Sequence, residues 1–230
     1  MAKLSFTLHI SQQDYDDTIA NRYAVLPKYG VEAAILQRIF ASYSTFSYED
    51  ILLRSTLLNQ FYSTAILDIR SMAEHIAHLP NVATDLQQGV VNVVPQIARV
   101  MHNGKQWNHT SFASKFASYQ NNGAFPIMDS LVVDVFAKLR MLGFFVKNTK
   151  FSKETLRTNY SLYVDVYNEF VALSGMGKLI QNGRPLNYKE VDDYLWASRK
   201  IKLLDPNSPE AKAAPVAYAQ VIGNAINIIP

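Results

Sequence analysis

The chain has 230 residues, of which 49% are hydrophobic and 18% charged, and its 22 Lys and Arg against 19 Asp and Glu give a formal net charge of +3. This composition excludes a disordered chain and suffices for one domain, or one two-lobed unit, with a sizeable core. So small a positive charge permits contact with nucleic acid without demanding it. The absence of cysteine excludes disulfides, thiolate zinc sites, a catalytic cysteine and an iron–sulfur cluster held in the usual way.

Met1 to Ile10 alternates apolar and polar residues and has no extended signal-peptide core, which predicts a short N-terminal strand or extended arm. Helical periodicity takes over from there. Ser11 with Asp14 caps a helix running toward Val25, and Pro27 with Gly30 separates it from a helix over Glu32 to Tyr43, with Leu36, Ile39, Phe40 and Tyr43 on one face. Ser47-Tyr48-Glu49-Asp50 resembles a capping box and opens a helix through about Phe61. Another helix carries Ile69, Met72, Ala73, Ile76 and Leu79 up to Pro80.

Asn81 to Gly89 reads as a loop, Val90 to Met101 as an apolar stretch with Pro95 in the first turn of a helix, and His102 to His109 as a polar turn displaying Trp107. A helix over Thr110 to Tyr119 is broken by Asn121-Asn122-Gly123, and the helix after Asp129 runs to about Leu142, with Gly143 as its left-handed terminator. Ser152 or Thr155 opens a long helix to Ser174, on which Tyr160, Tyr163 and Tyr167 join an apolar stripe that reads as core rather than as a platform for bases. Asn187 with Glu190 begins a last helix through Trp196 and Arg199.

The expected class is therefore all-α: one two-lobed domain over residues 1–204, followed by a C-terminal tail over 205–230 in which Pro206, Pro209 and Pro215 prevent a continuous helix. Leu131 to Val146, the most apolar stretch, is too short and too charged to span a bilayer, so a soluble cytoplasmic protein without membrane contact is expected.

Several chemistries lack their residues. His75 and His78 lie one helical turn apart, but nothing nearby completes a four-ligand metal site, and no metal or other cofactor is expected. There is no Gly-x-Ser-x-Gly turn for a serine hydrolase. Gly175-Met176-Gly177-Lys178 follows a helix instead of a strand and reads as a helix end rather than a phosphate loop.

Asp129 stands out, because the apolar turn Phe125-Pro126-Ile127-Met128 delivers its carboxylate to the start of a helix. One reading makes it an N-cap that accepts backbone N–H groups and complements the helix dipole. The other places it in a cleft, facing a carbon that becomes cationic in a transition state. Upstream, Ser111-Phe112-Ala113-Ser114-Lys115-Phe116-Ala117 sets small residues at alternate positions before a lysine.

Together these segments resemble the helix-hairpin-helix DNA glycosylases of the 8-oxoguanine glycosylase and endonuclease III type. There, a Gly-hydrophobic-Gly-x-Lys-x-Ala hairpin precedes a Pro-hydrophobic-Asp-(Thr/Ser)-x-Val turn. Ser111 and Ala113 stand at the glycine positions, Lys115 at the lysine, and Asp129, Ser130 and Val132 in the second motif. Asp50 to Thr64 is similar to the family's long apolar helix with its polar Ser/Asn-Gln-x-Thr end, so the likeness extends in order from Asp50 to Leu142.

The resemblance implies a two-lobed helix-hairpin-helix fold without an iron–sulfur cluster and DNA with a flipped, damaged or modified base as partner. Backbone N–H groups of Ser111, Phe112, Ala113 and Ser114 would grip phosphate, with Asn59, Gln60, Tyr62 and Thr64 facing the DNA. Lys115 and Asp129 would be catalytic, the first as an amine nucleophile giving lyase activity and the second stabilising positive charge on the sugar. A non-catalytic DNA-binding or protein-interaction helical scaffold is the alternative.

Overall fold

The computed structural model describes residues 7–25 and 27–202, and these residues are predominantly helical, as expected of an all-α chain. They fall into two compact units. A central unit spans Val31–Met128, and a discontinuous unit combines Met1–Gly30 with Asp129–Pro230. The predicted tail over 205–230 lies outside the described residues.

In the discontinuous unit, Thr7 to Ile10 forms no strand. It is instead an extended arm with Leu8 and Ile10 buried, and the Ile10 N–H donates to the Ser174 carbonyl at 2.9 Å. Of the two forms expected from the alternation, the described residues take the extended arm, with the apolar positions on the core. Helix α1 (Gln12–Val25) follows, and α2 (Pro27–Ser42) begins directly at the proline, where the missing N–H costs nothing, so Pro27 opens a helix rather than holding two apart.

The central unit continues with α3 (Tyr48–Tyr62), capped by Ser47, and α4 (Ile69–His78), capped by Asp68. Residues expected to loop form a short helix, α5 (Val82–Gln88), whose Val82 and Leu86 are buried one turn apart. Helix α6 (Val93–Ala98) leads into β1 (Arg99–His102) and β2 (Lys105–Asn108), an antiparallel hairpin where a polar turn was predicted. Asn103 and Gly104 close it with φ of 51° and 71°, the left-handed pair that a two-residue hairpin turn requires.

Helix α7 (Thr110–Gln120) completes the central unit. Its small residues Ala113, Ser114, Ala117 and Ser118 are buried, which lets neighbouring backbone come close. Ser114 uses that closeness: its Oγ accepts the Met128 N–H at 3.0 Å and so ties the segment leading toward Asp129 onto α7.

The returning chain forms α8 (Ser130–Met141), α9 (Lys153–Thr158) and α10 (Tyr160–Leu173). The single long helix expected after Ser152 is interrupted at Asn159. The Asn159 N–H donates to the Thr155 carbonyl at the end of α9, and its side chain caps α10 by accepting the Leu162 N–H at 3.1 Å. The tyrosine stripe is core: Tyr160, Tyr163 and Tyr167 are buried, and Phe136 of α8 contacts the rings of Tyr163, Tyr167 and Phe170.

Gly175, at φ 83°, ends α10 beside His9, whose ring would lie 3.0 Å from any added Cβ. The Gly175–Lys178 stretch is therefore a helix end followed by a 3₁₀ turn, Met176–Lys178. A two-residue pair, β3 (Ile180–Gln181) and β4 (Arg184–Pro185), precedes α11 (Tyr188–Lys202). Asn187 and Glu190 cap α11 reciprocally, each accepting the other's backbone N–H.

Candidate functional site

Lys115 sits on α7 of the central unit with 2% of its surface exposed, which is rare for a lysine. Its Nζ donates to Ser111 Oγ at 2.7 Å, one helical turn back, and lies 5.4 Å from the ring centroid of Tyr62. The Tyr62 and Tyr119 hydroxyls are 2.9 Å apart and their rings meet edge to face. Four residues that sequence reading took separately, Tyr62, Ser111, Lys115 and Tyr119, thus form one cluster. It combines an amine, three hydroxyls and two aromatic faces.

The other candidates around this cluster divide. Phe112 and Ala113 are core residues of α7, with Phe112 against the Phe116 ring, and Ser114 anchors the Phe125–Met128 segment. All of Ser111 to Lys115 lies inside α7, and the turn preceding that helix is the β1–β2 hairpin. Asn59 and Thr64 hold the chain after α3. Asn59 Oδ1 accepts Thr64 Oγ1 and the Ile66 N–H, and its Nδ2 donates to the Ile66 carbonyl, across a turn in which Ser63 and Ala65 take left-handed φ. Gln60 is exposed on α3.

Asp129 opens the returning part of the discontinuous unit and is the N-cap of α8, with its Oδ1 accepting the Leu131 N–H at 2.8 Å. It is half-buried, and its charge reaches the buried Tyr163 hydroxyl. The capping reading of this carboxylate is therefore realised in the geometry. A carboxylate with one oxygen on a backbone N–H is also held in a fixed direction, which a catalytic group needs.

A feature that sequence reading missed lies at the hairpin. A cavity of about 130 Å³ is lined by residues that include Asp68, Ser71, Met72, Val100, His102, Trp107 and His109. The Asp68 carboxylate caps α4 by accepting the N–H and Oγ of Ser71, and these bonds, with His102 at 3.0 Å, hold its pKa below the ordinary value. Burial lowers the His109 pKa, which favours a neutral imidazole. The exposed Trp107 lies parallel to His109 within 13°, with centroids 6.4 Å apart.

His75 and His78 have other partners. His75 Nε2 donates to the Gln96 carbonyl at 2.8 Å and His78 Nδ1 to the Glu74 carbonyl at 2.7 Å, both ordinary structural bonds. Among the described residues no group of three or more His, Asp or Glu side chains is placed to hold a metal ion, and no helix is long and apolar enough to cross a membrane.

Residues 8–124 match the family model described as HI_0787_N, N-terminal domain. A protein of Haemophilus influenzae, itself named only as uncharacterized, is 33% identical over 150 residues, which cover 64% of this chain and 65% of that protein. The aligned region therefore spans less than two thirds of the relative's length. No solved structure matches the chain.

Proposed function

The chain belongs to the HI_0787_N family, and from the Lys115 cluster within the matched stretch we propose a DNA glycosylase-like protein that excises a damaged or modified base. The carrying observation is a lysine amine withdrawn from solvent, held by Ser111 and walled by Tyr62. The resemblance of the Ser111–Ala117 and Pro126–Val132 segments to the glycosylase motifs supports this reading and assigns Asp129 as the carboxylate. Such a protein is cytoplasmic and needs no cofactor.

In this reaction the Lys115 amine, once its ammonium proton has left, forms a bond to sugar C1′ as the C1′–N bond breaks. The base leaves with that electron pair and takes up a proton. Ring opening then gives an iminium from which strand cleavage proceeds. The resemblance gives the Asp129 carboxylate the task of opposing the positive charge that grows on the sugar as the base departs. Flipping the nucleotide brings C1′ within reach, at a cost of a few kcal/mol that is smallest for a damaged or mispaired base.

The test is borohydride trapping with duplexes carrying oxidised, deaminated or alkylated bases. Wild type is expected to give a covalent adduct on at least one of them. Lys115→Met, which keeps volume and removes the amine, is expected to give none while remaining folded. A folded Lys115→Met protein trapped at wild-type yield overturns the nucleophile. The bond from Asp129 to the α8 backbone favours a second reading, a helical DNA-binding scaffold without chemistry. Salt-dependent binding with no product on any duplex supports that reading.

A further inference from the structure

The cavity beside the β1–β2 hairpin has a mainly apolar surface, with Trp107 and the hydrogen-bonding side chains of Asp68, Ser71, His102 and His109 among its lining residues. In the hairpin register Val100 faces Trp107 and His102 faces Lys105. Side chains alternate across a strand, so these four residues share one face of the hairpin. Val100 closes the floor of the cavity at 5% exposure, while Trp107 stands at 44%. Lys105 places its Nζ 4.7 Å from the Trp107 ring centroid. Opposite this face lie Asp68 and Ser71 at the start of α4, with Ile66 and Met72 as apolar wall.

A ligand must match three properties. It needs a flat face for Trp107, an edge carrying both donors and acceptors for Asp68, Ser71, His102 and His109, and a size near one ring. A cavity of about 130 Å³ is close to the roughly 150 Å³ that accommodates a benzene ring in a protein core. A bicyclic purine exceeds it. An aliphatic or aromatic hydrocarbon side chain fits by size, but would make no use of the remaining hydrogen-bonding capacity at the cavity edge, where Asp68 already accepts from Ser71 and pairs with His102.

We propose that this cavity is a binding site for a single pyrimidine ring, stacked on Trp107 and read along its edge by Asp68, Ser71 and the two histidines. Either a free pyrimidine nucleoside or an unpaired pyrimidine in a single strand presents that ring. Lys105, exposed beside Trp107, is suited to the phosphate that only the strand carries. The site uses none of the residues assigned to base excision and stands without that reading.

Trp107 reports its own occupancy once the chain's other tryptophan is removed with Trp196→Phe. In that background, thymidine, a thymidine dodecamer and an abasic strand of equal length are titrated while fluorescence and anisotropy are followed. The dodecamer is expected to quench Trp107 saturably, and Trp107→Ala to weaken its binding, by anisotropy, about 10-fold or more. Trp107→Phe is expected to restore most of that affinity. Quenching by thymidine alone assigns the site to the free nucleoside. A dodecamer-only response weakened by Lys105→Ala assigns it to the strand.

Absence of Trp107 quenching by both thymidine and the dodecamer overturns the proposal, as does equal affinity of Trp107→Ala and its parent for whichever of the two quenches. Because Trp107 is exposed, its replacement leaves the core intact. Repeating the titration in Lys115→Met separates the two readings: loss of trapping with retained quenching supports both, retained trapping with retained quenching overturns only the Lys115 nucleophile, and loss of trapping with no quenching overturns only the pyrimidine site.

Discussion

The two units bury charge in opposite ways. In the central unit the fully buried Arg54 lies among aromatic faces, its guanidinium carbon 4.9 Å from the Phe46 centroid, 5.4 Å from Phe116 and 5.5 Å from Phe40. Two of its nitrogens donate to the Asp50 and Thr45 carbonyls, and the third, Nη1, has no hydrogen-bond acceptor. Lys115 follows the same pattern with a hydroxyl and the Tyr62 ring. The discontinuous unit pairs its buried lysine, Lys189, with Asp193 and surrounds a buried carboxylate with donors. Glu169 accepts the N–H groups of Val146, Lys147 and Asn148 and the Asn148 amide, all within 2.8 Å.

The difference shows in proton affinity. Burial pushes the Arg54 guanidinium down to about 10, although the charge of Asp50 opposes the shift. Burial alone would raise the Glu169 pKa, but the bonds from Lys147, Asn148 and Val146 outweigh it and hold the carboxyl below its ordinary value. Ring faces offset a cation's desolvation only in part, whereas a nest of N–H groups more than offsets that of an anion.

Strong alkali is expected to expose the contrast most fully. Burial raises the Tyr160, Tyr163 and Tyr167 hydroxyls well above the ordinary tyrosine value, and neighbouring tyrosines and Asp192 add to it. A folded value above the unfolded one, about 10, means that the stability contribution is complete below that pH and is lost as pH rises beyond it. Arg54 has the reverse sign: its folded value lies below the unfolded 12.5, so its contribution grows as pH rises between the two. Three buried phenols in the discontinuous unit outweigh one guanidinium in the other. Tyrosinate absorbance is expected to rise in one cooperative step with loss of helical circular dichroism above roughly pH 11. Titration of these tyrosines with the helices intact would break the comparison.

Arg54→Ala is the next largest test. It leaves the Thr45 carbonyl without its donor and a hole among three phenylalanine rings, and is expected to cost roughly 3–4 kcal/mol by denaturant unfolding. A loss below about 1 kcal/mol would show that the rings and carbonyls do little for the cation.

Arg54 was legible in the sequence, although its meaning was not. It occupies the same helical stripe as Ile51 and Leu58, so a charge on the core face could be read from spacing alone. Caps were the most legible feature: Ser47, Asp129 and Ser152 each precede the helix they were expected to start. Short elements were not. Helix α5 has two buried positions, and each hairpin strand has four residues, too few for a period to emerge from composition. The cavity was beyond reach, because Asp68 and His102 belong to elements whose pairing no local signal specifies. The Lys115 cluster was half legible, since Tyr62, Ser111 and Lys115 were named as candidates but only the tertiary structure brings the Tyr119 hydroxyl to that of Tyr62.

The smallest effect decides the most about mechanism. Asp129 is an N-cap, and at such positions asparagine serves nearly as well as aspartate, while alanine costs about 1 kcal/mol. Asp129→Asn is therefore expected to unfold within a few tenths of a kcal/mol of wild type, and Asp129→Ala about 1 kcal/mol earlier. The asparagine variant keeps the cap and removes the charge, so the carboxylate's two roles separate in one side chain. With stability preserved, loss of base excision in Asp129→Asn assigns the charge to the reaction. Full excision by that variant, with destabilisation confined to alanine, leaves Asp129 a helix cap and nothing more.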